Sequence, residues 1–175
     1  MKSTFIEKIN WRLLSVHFFA TIFIMLAARW FAVLKDIDLF EAYWRYGQED
    51  YINHLPQTDL TLGERLTYAA QWIKLFGIIG LLIAFAISLT ICIRKKIFWL
   101  NSIIVLLLAY STNLIGLLQT SPFKTITNFF GDLFIDSGIQ YAFILNGGLF
   151  AIIGLFIFLN KWINKFVSKQ NIMTY

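Results

Sequence analysis

Long uncharged apolar runs alternate with short polar segments along the chain. Leu13–Ala28 holds no charge and continues to Leu34 with Arg29 as its one interruption. Leu75–Ile93, Ile97–Leu118 and Ile139–Asn160 are uncharged throughout. A hydrocarbon core of ~30 Å needs roughly 20 helical residues, so each run is long enough to cross it. Lipid offers no partners to free backbone N–H and C=O groups, and the period-two polarity of barrel strands is missing, so each run is expected to be a helix. The pattern predicts an all-α integral membrane bundle of four transmembrane helices, over about 11–34, 72–93, 97–118 and 139–160, forming one domain.

Local signals refine the ends. Thr4-x-x-Glu7 and Thr61-x-x-Glu64 are capping boxes, placing helix starts near Phe5 and Leu62. The second of these lies a few turns ahead of its apolar run. Ser121-Pro122 reads as an N-cap followed by proline at the first helical position. Behind it Phe123, Ile126, Phe130, Leu133 and Phe134 recur at helical spacing over too short a distance to span. An interfacial helix is expected there, and a shorter one around Leu39, Phe40, Tyr43 and Trp44. These loop aromatics suit headgroup anchoring, or else a lid over a cavity between helices. Lys161–Lys169 is expected to continue the last helix outward.

Composition moves the picture further from a soluble protein. The 175 residues are 58% hydrophobic and 14% charged, against about 45–50% and about 25% for soluble domains. The mean hydropathy is +0.67. Disorder is excluded by this hydrophobicity, and an internal disulfide by the single cysteine, Cys92. The net charge of +5 resolves into two unequal faces. With four spans, Lys2, Lys8, Arg12, Arg94, Lys95, Lys96, Lys161, Lys165 and Lys169 share one side. Less Glu7 they carry +8, whereas the other side carries −3. The positive-inside rule then puts both termini in the cytoplasm, with the first span a retained signal-anchor: its run is long and no A-x-A site follows. A bacterial cytoplasmic membrane is expected, because no organelle-targeting signal is visible. The basic residues are thereby explained without nucleic acid.

Candidate chemistry is sparse. Small residues line helix faces at Gly77, Gly80, Ala84, Gly147, Ala151 and Gly154, where backbones can approach closely within the bundle or against a partner. Arg29, Lys74, Asn113 and Asn146 fall in the outer half of the membrane and are the candidate ligand-binding residues. Arg29 and Asn113 each sit ~7.5 Å from the outer span ends at 1.5 Å per residue. A charge inside a span is a functional hypothesis by default, and arginine offers a bidentate fork to a phosphate or carboxylate. Alternatively Arg29 snorkels beside Trp30 or pairs with Asp36 or Asp38. This reading expects a wet cavity open outward and closed inward by an apolar middle layer.

The two histidines are kept apart by the topology. His17 belongs to an inner polar layer with Ser88, Asn101 and Ser102, with Asn101 or Thr21 as its expected partner, and His54 belongs to the outer loop beside Glu49 and Asp50. No P-loop, HExxH, paired-cysteine spacing or Gly-x-Ser-x-Gly occurs, so no metal, cofactor or catalytic residue is assigned. Three functions follow in order. The first is a non-catalytic accessory subunit in the lipid bilayer, packing against a larger membrane protein or a second copy. The second is a binding or transport module for an amphiphile or small anion entering from outside. The third is an enzyme acting on lipid or an envelope substrate, with Glu49, Asp50 or His54 near Arg29.

Overall fold

The structure, a computed structural model, describes residues 8–115, 125 and 138–168, and every regular element among them is helical. Helix α1 runs over Trp11–Val33 and passes through a 3-10 turn, Leu34–Asp36, into α2, Ile37–Asp50. A second 3-10 turn, Tyr51–His54, leads towards α3, Leu62–Arg94. Then come α4, Leu100–Leu114, α5, Ile139–Leu159, and the short α6, Lys161–Ser168. Three helices, α1, α3 and α5, are long and apolar enough to cross a membrane. The expected extension of α4 to Leu118, the Thr4–Glu7 box and the Ser121–Phe134 helix, Thr125 apart, lie outside the described residues.

α1 is the axle of the fold. α3 and α5 run antiparallel to it and pack along it, and α4 lies parallel to it. Two glycines set the closest approaches. A Cβ at Gly80 would stand 2.8 Å from the Ala28 Cβ and 3.0 Å from the Ile24 carbonyl, and one at Gly154 would stand 2.8 Å from Ile24. In lipid no hydrophobic force drives helices together, so this close contact must supply the attraction. Ala84 is wholly buried, and Ala151 packs on the central cluster of Met25, Leu81, Ala109 and Phe150. Gly77 and Gly147 have another use: they make room for side chains of α1, Arg29 at the first and the Phe31 ring at the second.

The helix ends follow local chemistry. The Thr61–Glu64 capping box forms as the sequence predicts and starts α3. α1 begins later than the Thr4 box implied, because Asn10 caps it and accepts from the Leu13 N–H at 2.9 Å. Asn10 also donates to the Val167 carbonyl and, through its backbone, to Asn101 Oδ1, both at 2.9 Å. One buried residue thus ties the starts of α1 and α4 to α6. α3 ends in a Schellman turn: Ile97 N–H reaches the Cys92 carbonyl at 2.9 Å and Lys96 N–H that of Ile93 at 3.2 Å. Lys96 takes the left-handed conformation usually given to glycine, φ 54°. The lysine tail does not extend the last helix. Asn160 breaks it (ψ 124°) and caps α6, accepting from Trp162 N–H at 2.9 Å and Ile163 N–H at 3.3 Å. The break lets Val167 return to the core.

The helix directions gather Lys8, Arg12, Arg94–Lys96, Lys161 and Lys165 at one end of the bundle, with no acidic residue among the described ones there. All the described acidic residues belong to the opposite end, between Asp36 and Glu64. Between these ends the outer surface is apolar, with Leu82, Ile83, Leu107, Ile152, Phe156 and Leu159 all exposed. A soluble monomer rarely shows so large an apolar surface. Together with the length of the three helices it makes this an integral membrane protein.

Candidate functional site

At the acidic end, α2 turns back over the bundle. Gly47 (φ 75°, ψ 179°) breaks the helical conformation inside α2, and Leu39, Ala42 and Tyr51 pack with Ala69 of α3. The fold-back is pinned by an ion pair the sequence reading missed. Arg65 of α3 grips Asp36 with both arms of its guanidinium, Nε to Oδ2 at 3.1 Å and Nη2 to Oδ1. The Arg65 side chain is almost wholly buried. The 29-residue separation of the two leaves no local signal in the sequence.

Under this cover lies a partly open cavity of about 560 Å³, within the ~300–1,000 Å³ typical of ligand pockets. Trp30 of α1 and Phe143 of α5 form one wall, their rings 5.2 Å apart, and Phe40 and Trp44 of α2 and Ile73 of α3 contribute to the rest. The cavity lining is mostly apolar. Among the described residues Arg29 is its only charged lining residue.

Arg29 does not pair with Asp36 or Asp38. Its Nη2 donates to Asn113 Oδ1 of α4, while Nε is buried with no partner among the described residues. Asn146 of α5 belongs to the same end: it lies one helical turn from Phe150, as Asn113 lies one turn from Ala109, on antiparallel helices sharing the central cluster. It is fully buried, and neither its amide nitrogen nor its oxygen has a partner among the described residues. Lys74 is exposed and does not line the cavity. Of the four candidate residues, one pair is therefore brought into contact, a third shares the level and the fourth stands apart. Below this level Ile22, Met25, Leu81 and Phe150 fill the interior.

His54 and its neighbours sit elsewhere. His54 Nε2 meets Asp50 Oδ2 at 3.1 Å, and its ring stacks on Tyr46 with centroids 3.6 Å apart. Bonds from the Asn53 amide and then His54 hold the exposed Asp50 carboxyl below the usual carboxylate range. His54 lines a separate polar depression of about 230 Å³ with Asp38 and Glu41. Arg29 is not part of it, so the constellation required for chemistry in the first loop is not assembled. Among the described residues no three His, Cys, Asp or Glu side chains form a metal-binding group.

At the basic end His17 finds a partner other than Asn101 or Thr21. Its Nδ1 lies 2.7 Å from Ser88 Oγ, which donates to Ser102 Oγ at 3.0 Å, which in turn donates to Cys92 Sγ at 3.1 Å. The His17 ring meets Phe158 edge-on at 5.0 Å. This buried chain joins α1, α3 and α4, and the Phe158 ring adds α5, so these polar groups serve packing specificity. No family model, no curated protein and no solved structure matches the chain.

Proposed function

We propose that the protein is a non-catalytic binding module that holds an amphiphile with an anionic head, taken from the side of the membrane where α2 lies. One observation carries this reading: an apolar cavity of ligand size where Arg29 is the only charged lining residue among the described ones. A hydrocarbon chain suits the aromatic and aliphatic walls. A phosphate or carboxylate suits a guanidinium whose buried Nε–H has no partner among the described residues, since planar bidentate recognition is what arginine does better than lysine. The full proposal includes four spans, both termini in the cytoplasm and a bacterial cytoplasmic membrane, supported by the basic end of the bundle and the positive-inside rule.

The reading as an accessory subunit drew on the small-residue faces. Gly77, Gly80, Gly147 and Gly154 all face α1, which occupies them within the chain. The exposed apolar helix faces are satisfied by lipid, so the cavity favours the bound amphiphile over a protein partner.

The test is binding of lysophosphatidylglycerol, measured by native mass spectrometry of the detergent-solubilised protein, against neutral lysophosphatidylcholine. Arg29→Lys keeps the charge but loses the fork, and weakens lysophosphatidylglycerol binding by roughly tenfold. Ala70→Trp fills the cavity from α3 and removes binding of both lipids. Unchanged binding in both variants would sink the proposal.

A further inference from the structure

The cavity under α2 has two unlike ends. Arg29 marks the inner one: its Nε lies 3.0 Å from the place of a Cβ on Gly77, one turn inward of the α3 lining residue Ile73. Asn113 accepts from Nη2 and holds the guanidinium there. Leu66, the lining residue at the other end of α3, comes eleven residues before Gly77, ~16 Å away along the axis at 1.5 Å per residue. Tyr51 packs beside Ala69 at that outer end, and Tyr43, Trp44 and Leu66 are exposed around it. Inward of Arg29 the bundle is filled. Leu26, which lines the inner end, belongs to the packed cluster of Met25, Leu81 and Phe150.

Resting on the reading that the occupant is an anionic amphiphile, we propose that it is a free fatty acid, held with its carboxylate inward on Arg29 and its chain running outward under α2. The direction follows from the levels. The guanidinium stands at the inner end, so a head that meets it leaves the chain the aromatic and aliphatic wall from Trp30 and Ile73 to Tyr43 and Leu66. A bilayer lipid in the same leaflet points the other way, with its chain towards the midplane. The head class follows from the filled floor. A carboxylate ends at its two oxygens, which match two parallel N–H donors of a guanidinium. A phosphodiester carries a further alcohol beyond the phosphate. At this end that group would have to displace the packed side chains of Leu26 and Met25, and forcing extra atoms into a packed core is costly.

The test titrates the full chain in detergent micelles with hexadecanoate, decanoate or hexadecanoyl lysophosphatidylglycerol and reads adducts by native mass spectrometry. Hexadecanoate adducts are expected at roughly tenfold lower concentration than those of the lysophospholipid with the same chain. Leu66→Trp narrows the outer end of the cavity. Hexadecanoate binding is expected to weaken roughly tenfold there, while decanoate, whose shorter chain stops short of Leu66, stays within about twofold. In the wild-type protein, hexadecanoate carrying a photoreactive diazirine at its chain terminus is expected to label α2 and Leu66. Tighter binding of the lysophospholipid than of the acid would overturn the carboxylate class and leave the amphiphile reading standing. Label at Leu26 or Leu81, or equal loss of both acids in Leu66→Trp, would overturn the inward head. Binding of none of the three would remove the amphiphile reading itself and this inference with it.

Discussion

Glycines at similar helical spacing do different work in this fold. At Gly80 a methyl group would press on the Ala28 Cβ and the Ile24 carbonyl, and the carbonyl is backbone that cannot rotate away. Gly80→Ala is therefore expected to destabilise the protein by about 1–3 kcal/mol through overpacking. Gly148 has nothing within 4 Å of the same position, so Gly148→Ala should be neutral or stabilise by up to ~1 kcal/mol through helix propensity. Unfolding midpoints in mixed micelles would check the pair, and equal effects would contradict the α1–α3 packing. The spacing of Gly77, Gly80, Gly147 and Gly154 was legible in the sequence. That Gly77 accommodates Arg29 and Gly147 accommodates Phe31 was not, because spacing marks a face and not what arrives at it.

Among the elements, α2 is the one whose position needs an interaction beyond packing. Its aromatic spacing, Leu39, Phe40, Tyr43 and Trp44, was readable as a short amphipathic helix. Its seat over the bundle depends on Asp36 and Arg65, which the chain separates by the whole of α2 and the following loop. Asp36→Asn leaves the buried Arg65 guanidinium without its counter-charge, and removing one member of a buried pair costs about 3 kcal/mol. Faster amide exchange is expected across α2 while the α1–α5 contact keeps its protection, and uniform exchange in wild type and variant would show that α2 is held by packing alone. The ends of α1 and α5 teach the converse lesson. Asn10 starts α1, and Asn160 starts α6 where α5 stops, at places where charge and hydropathy gave no sign, because a side-chain amide oxygen can accept from the free N–H groups of a helix's first turn.

At the scale of the whole molecule the charge asymmetry becomes a geometry. Lys8, Arg12, Arg94, Lys95, Lys96, Lys161 and Lys165 reach one pole, and the acidic loop reaches the other. With Cys92→Ser as background, Lys96→Cys is expected to resist a membrane-impermeant maleimide in intact cells while Thr58→Cys labels; the opposite pattern would invert the proposed orientation. The sequence by itself determined that the chain is helical, apolar enough for lipid and polarised in charge, since hydropathy, helix length and charge position are sums over neighbouring residues. It also marked Arg29, Asn113 and Asn146 as sharing a depth, because depth follows from counting along a span. The tertiary structure alone decided that Arg29 meets Asn113 but not Lys74, that His17 meets Ser88, and that α2 encloses an apolar cavity. Contacts between helices depend on the rotation of each helix about its axis, and that rotation is set by side chains many residues apart packing at once.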